Sequence, residues 1–150
     1  MAAATIGAVA NVGPGGVSGR SIAREAAVHH AQIQQMFGSV DGLVAFAVQE
    51  ERDRFIQEVF DDSGNLPDPL AVADYPEFWR SIAQVLLAPG PVELSVLADG
   101  GPVELIRRRL TAIGPDRDPM FEAAIAATWM AAPLGALIFA DPLGRGLRIS

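Results

Sequence analysis

Two histidines and a nearby glutamate are the residues of this chain best suited to chemistry. His29 and His30 are its only histidines, and Glu25 stands four positions before His29. On one helix that spacing sets a carboxylate one turn from an imidazole, the arrangement of a general-base pair or of part of a metal site. No second Glu-x-x-His element occurs, so a di-iron bundle would need a symmetry mate to complete it. The expectation is therefore a histidine packed in or beside a helix interface, with a small enzyme or metal-binding protein using Glu25 and His29 as the weaker alternative.

Three other patterns approach a known chemistry and miss it. Pro14-Gly15-Gly16-Val17-Ser18-Gly19-Arg20-Ser21 precedes a helix as a phosphate-binding loop would. Proline stands where the first glycine belongs, and Arg20 replaces the lysine that reaches the terminal phosphates. Asp61-Asp62-Ser63-Gly64-Asn65 has oxygen donors at alternate positions, but its glycine comes too early for a calcium loop, and Val72 stands where the bidentate glutamate should be. Glu50-Glu51 and the pair Asp116 and Asp118 are acidic, yet neighbours on a helix do not face each other, and the second pair sits at a helix start.

No nucleophile elbow, zinc-protease motif or dinucleotide fingerprint is present. The chain has no cysteine, which excludes disulfides, thiolate metal sites and cysteine nucleophiles together. No cofactor is expected, and an unaided enzyme is not the expected reading. Arg107, Arg108 and Arg109 form the only basic run. Three consecutive helical positions point in different directions, so they cannot make one flat phosphate clamp. They are candidates for salt bridges to a partner or to the acidic loop, and they complement the dipole in the second half of their helix.

The elements that must position these residues are helical. A helix is expected from Ser21, as N-cap, to Phe37, with Gly38 beyond it. Ile22, Ala26, His29, Ile33 and Met36 form its stripe. A second helix follows Ser39 or Asp41 and runs to about Phe60, with Val44, Val48, Phe55 and Val59 on one face. Residues 61–73 read as a loop broken by Gly64, Pro67 and Pro69. Asp74 and Glu77 make a capping-box variant for a third helix ending near Leu87, with Phe78, Ile82 and Val85 facing one way, Leu86 beside them, and Trp79 and Ala83 widening the stripe. Gly90-Pro91-Val92-Glu93-Leu94 recurs as 101–105. The second copy opens a helix with Val103, Ile106, Leu110 and Ile113 as its stripe; the first reads as a short turn or strand. Asp118 caps a last helix with Phe121, Ile125 and Trp129 on one side.

The most apolar region is Met120 to Ala140, which carries no formal charge from Ala123 to Ala140. Pro133 is expected to end or kink the helix. Leu134 to Ala140 then becomes a second apolar piece, whose Leu134, Leu137, Ile138 and Phe139 are the candidate partner-binding residues. The expected fold is mostly α: a single-domain bundle of about five helices. Residues 1–20 form an extended glycine-rich arm, or in part a strand through Ile6, Val9 and Val12. Residues 21–140 form the helical domain and residues 141–150 a tail.

The net charge of −7 argues against a nucleic-acid surface, which needs a basic face. The N-terminus lacks the basic region of a secretory signal, so the expected location is cytoplasmic or within a macromolecular assembly. The function expected is that of a non-catalytic structural or adaptor subunit. It would pack on partner chains or on its own copies, as a virion-type component or an accessory subunit of an enzyme complex. The alternative is a membrane-associated protein inserting Ala123–Ala140. Eighteen uncharged residues sit at the lower limit for a span, but alanine is weakly hydrophobic and no basic cluster flanks the N-terminal side.

Overall fold

A computed structural model describes residues 1–60, 65–67, 74–87, 101–114 and 118–147, with side chains for all of these except 130 and 136–147. The described residues form α1 (Ala2–Val12), a 3-10 turn (Pro14–Gly16), α2 (Gly19–Glu25), α3 (His30–Phe37), α4 (Val40–Val59), α5 (Pro76–Leu87), α6 (Pro102–Ile113) and α7 (Pro119–Leu147). The protein is mostly α, as expected, with no strand among the described residues. It has seven helices there rather than about five. The first glycine-rich copy, 90–94, lies outside the described residues.

The first added helix replaces the arm. Residues 2–12 are neither extended nor peripheral. They form α1, which lies between α4 and α5 and buries Thr5, Ile6 and Val9. Alanine has the highest helix propensity, and three buried positions on one side are enough once two neighbouring helices supply the rest of a groove. Thr5 is fully buried because its Oγ1 donates to the Met1 carbonyl at 3.0 Å. Gly13 ends the helix at φ 73° and ψ 165°, a region essentially closed to residues with a Cβ.

The second added helix comes from splitting the expected 21–37 helix. Ser18, not Ser21, is the N-cap of α2, its Oγ accepting from the Ser21 N–H at 3.1 Å. The helix stops at Glu25 because Ala27 turns left-handed, at φ 53°. Val28 N–H then donates to the Ala23 carbonyl at 2.9 Å, and Ala27 N–H to the Arg24 carbonyl at 3.4 Å. That pair of bonds is a Schellman C-cap with alanine where glycine is usual. A new helix starts at His29, whose N–H donates to the Gln32 side chain at 2.9 Å. The left-handed conformation costs an alanine about 1–2 kcal/mol. Ala27→Gly should therefore raise stability by about 0.5–1 kcal/mol after the unfolded-state entropy of glycine is counted. Chemical denaturation measures this; a loss of stability would mean that Ala27 is not left-handed.

The remaining helices start within a residue or two of the expected positions. Ser39 caps α4, accepting from Gly42 N–H at 2.9 Å. Asp118 caps α7, accepting from Met120 N–H at 2.9 Å. The main core joins Ile6 and Val9 to Val44, Val48 and Phe55, to Phe78, Trp79, Ile82 and Val85, to Ile106 and Leu110, and to Ala126 and Trp129. A second, smaller cluster holds Ile22, Ala23, Ile33 and Leu43.

Pro133 does not end the last helix: α7 continues through it to Leu147, into the segment expected to be a tail. A proline inside a helix costs about 3 kcal/mol or more, but Ala126, Trp129 and Pro133 are buried in one row. Leu134 packs beside them on the main core. The chain on both sides of the proline thus keeps its helical register by packing on the same neighbours.

Candidate interaction surface

The two faces of α7 have different environments. One row, Glu122, Ala126, Trp129 and Pro133, is turned to the protein. The adjoining row, Phe121, Ala124, Thr128 and Ala132, is exposed, with Ile125 half-buried at its border. Phe121, Ala124, Ile125, Thr128, Trp129 and Ala132 line an apolar groove of about 290 Å³. At its N-terminal end Phe121 is 54% exposed, and Met120, the residue before it, is 78% exposed.

The buried row keeps Trp129, as expected, but takes Glu122 and Ala126 in place of Phe121 and Ile125. Phe121, read as core, faces solvent, and Glu122 takes the inward place at 7% exposure. Thr111 Oγ1 lies 3.1 and 3.3 Å from the two Glu122 carboxylate oxygens and 3.0 Å from the Arg107 carbonyl, so its single proton is shared between the carboxylate and its own helix. Hydropathy alone favours a phenylalanine inside over a glutamate. The hydroxyl that reverses the choice comes from another helix. The Trp129 indole also finds a partner, donating to the Pro67 carbonyl at 3.1 Å.

The arginine run divides in two. Arg107 and Arg108 both bond Glu104 on their own helix, each through Nε at 2.9 Å. Hydrogen bonds first from Arg107 and then from Arg108 pull the Glu104 carboxyl down to about 2. Arg109 instead reaches across to the Asn65 carbonyl and sets its guanidinium over the Phe60 ring, 5.2 Å from the centroid. Two of the three thus act within one helix, and the third ties α6 to the end of α4.

A polar cleft of about 270 Å³ lies between α4 and the start of α5, lined by Glu51, Arg54, Asp74, Tyr75, Pro76, Glu77 and Phe78. Burial raises the Glu51 carboxyl above its ordinary value, opposed by Arg54, whose guanidinium is 2.5 Å away. The Tyr75 hydroxyl donates to Glu58 Oε2 at 2.6 Å, and that bond first, then burial, raises the phenol. The groups answer one another and close the start of α5 onto α4.

The structure does not bring Glu25 and His29 onto one helical face. Glu25 ends α2, His29 caps α3, and the left-handed Ala27 between them breaks the one-turn spacing; both are exposed. Among the described residues no group of three His, Asp or Glu side chains could hold a metal ion. The stretch 14–21 is a 3-10 turn followed by a capped helix. Residues 61–64 of the calcium-like loop lie outside the described residues.

Of the candidate partner residues, Leu134 is half-buried against the main core. Leu137, Ile138 and Phe139 belong to the same continuous helix, and their side chains lie outside the described residues. The groove sits one to three turns earlier than these positions. Its signal in the sequence was the uncharged spacing of Phe121, Ala124, Thr128 and Ala132. That signal was masked because the same residues also fit a buried face. No helix among the described residues is long and apolar enough to cross a membrane. Compared with protein-family profiles, curated proteins and solved structures, the chain matches none.

Proposed function

We propose that this protein is a non-catalytic helical subunit or adaptor that packs on a partner chain in a larger assembly, and that the outer face of α7 is its contact surface. The observation that carries this reading is the groove along Phe121, Ala124, Ile125, Thr128 and Ala132, with Met120, next to Phe121 in the chain, also exposed. Exposed large apolar side chains gathered beside a groove mark binding surfaces more often than scattered ones do. Small residues in its floor let another backbone approach closely. Leu134, Leu137, Ile138 and Phe139 extend the same helix toward its C-terminal end, where the contact would continue.

Thr128→Arg tests the reading. Among the described residues the Thr128 hydroxyl bonds its own helix, donating to the Ala124 carbonyl at 2.8 Å, so the substitution should leave the unfolding midpoint unchanged. An unpaired charge in an apolar contact should weaken association more than roughly tenfold. The measurement is native mass and co-purification from the source cells, wild type beside variant. The reading holds if the wild type carries a stoichiometric partner or forms a discrete oligomer that the variant loses. It fails if both are monomers with nothing bound.

A further inference from the structure

The second core cluster belongs to a part of the molecule that is attached along one edge. Residues 14–38 contain the 3-10 turn, α2 and α3. Within the described residues α2 rests on α1 and α3, and α3 rests on α2 and α4. The pair shares four buried apolar side chains, Ile22, Ala23, Ile33 and Leu43, of which Leu43 belongs to α4. The main core holds fifteen among the described residues. Positive-φ glycines mark its two ends: Gly13 at φ 73° just before it and Gly38 at φ 72° as its last residue. Inside it, Ala27 holds the left-handed conformation without a glycine.

These observations share a direction. A unit with its own small core opens at a lower free energy than the body it rests on, because few apolar contacts must be broken. The two glycines let the backbone swing at both ends without disturbing α1 or α4. Few contacts hold the unit shut: Val17 is half-buried against both cores, and Met1 packs on the smaller one. Phe37 packs on Phe46 of α4 with ring centroids 5.1 Å apart, and the His30 ring and Val40 close over Gly19.

We propose that residues 14–38 form a hinged flap that opens as one cooperative unit while the core built on α1, α4 and α5 stays folded. Opening uncovers Leu43 and the inner faces of Ile22 and Ile33, which are fully buried when the flap is shut. The flap lies on different helices from the α7 groove, so it stands or falls separately from the assembly reading.

Native-state hydrogen exchange across a denaturant series tests this on the full chain. The probes are amides with assigned bonds in the flap: Ile22, Ala26, Val28 and Gly38, donating to Ser18, Ile22, Ala23 and Gln34 carbonyls. Their opening should show a lower free energy and a shallower denaturant dependence than amides of 44–59 and 79–87. Two mild truncations separate the units. Ile82→Val in the main core should speed exchange of the core amides roughly fivefold and leave the flap amides unchanged. Ile33→Val should speed the flap amides roughly fivefold. Equal denaturant slopes in both regions, or equal acceleration of both by Ile82→Val, would show a single cooperative unit and overturn the proposal.

Discussion

Phe55→Ala should cost about 3–5 kcal/mol of unfolding free energy, a large share of the roughly 5–15 kcal/mol that holds a domain of this size folded. Phe55 is fully buried at the centre of an aromatic cluster. It stacks on Phe78 at 4.8 Å and 18°, and meets Trp79 at 5.5 Å and Tyr75 at 5.3 Å, both nearly edge-on. Phe60, at 6.3 Å, continues the cluster to Trp129. Removing the ring loses its transfer free energy, leaves a cavity, and deletes several quadrupole-matched pairs worth about 0.5–1.5 kcal/mol each. Tyr75, Phe78 and Trp79 come from the start of α5 and Phe60 from the end of α4 itself, so filling the cavity requires α5 to move as a unit rather than one side chain to turn. Urea denaturation, with near-ultraviolet circular dichroism following the tryptophan environment, measures the effect. A loss under about 1 kcal/mol would show that Phe55 is not the hub.

The second large effect has a sign opposite to helix propensity. Gly42 lies in the first turn of α4, where alanine would ordinarily gain about 1 kcal/mol over glycine. Here an added Cβ would stand 2.3 Å from the Phe37 carbonyl oxygen. That atom is backbone at the end of α3, held by the turn through Gly38 and the Ser39 cap. The clash cannot be relieved by a rotamer. Gly42→Ala should therefore destabilise by on the order of 3 kcal/mol. Gly7→Ala in α1 is the control: no heavy atom lies within 4 Å of its added Cβ, and it should gain up to about 1 kcal/mol. Thermal unfolding of the two variants side by side reads the contrast. Stabilisation of both would mean that the α3–α4 corner is not closed as described.

Both effects bear on the interaction surface through the helices that carry it. Phe55 packs on Phe60 and Phe60 on Trp129, which lines the groove. Loss of the aromatic hub should loosen the groove as well as the fold. Thr128→Arg, in contrast, changes the outer face and leaves that support alone. Together the variants separate a surface that binds from a helix that merely needs to be folded.

Much of the helical frame was legible from local chemistry. Ser39, Asp118 and the proline openings of α5, α6 and α7 announced helix starts within a residue or two, because caps and N-terminal prolines act over a single turn. The stripe Phe78, Ile82 and Val85 and the pair Ile106 and Leu110 were legible as core because each repeats at helical spacing.

The features that went unread depend on contacts between distant residues. An uncharged alanine-rich start becomes α1 only because α4 and α5 leave a groove for it. Ala27 ends α2 without glycine because the Schellman bonds and the contacts of Val28 outweigh its backbone cost. α7 passes Pro133 because residues on either side face one core. The inward place went to Glu122 rather than Phe121 because Thr111, eleven residues earlier, supplies a hydroxyl. By itself, then, the sequence determined the helical class, most helix starts and the core faces of α4 and α5, since propensity, capping and periodicity are local. Only the tertiary structure decided which face of α7 is left open, because that depends on which neighbours can satisfy a buried carboxylate and which leave a phenylalanine in water.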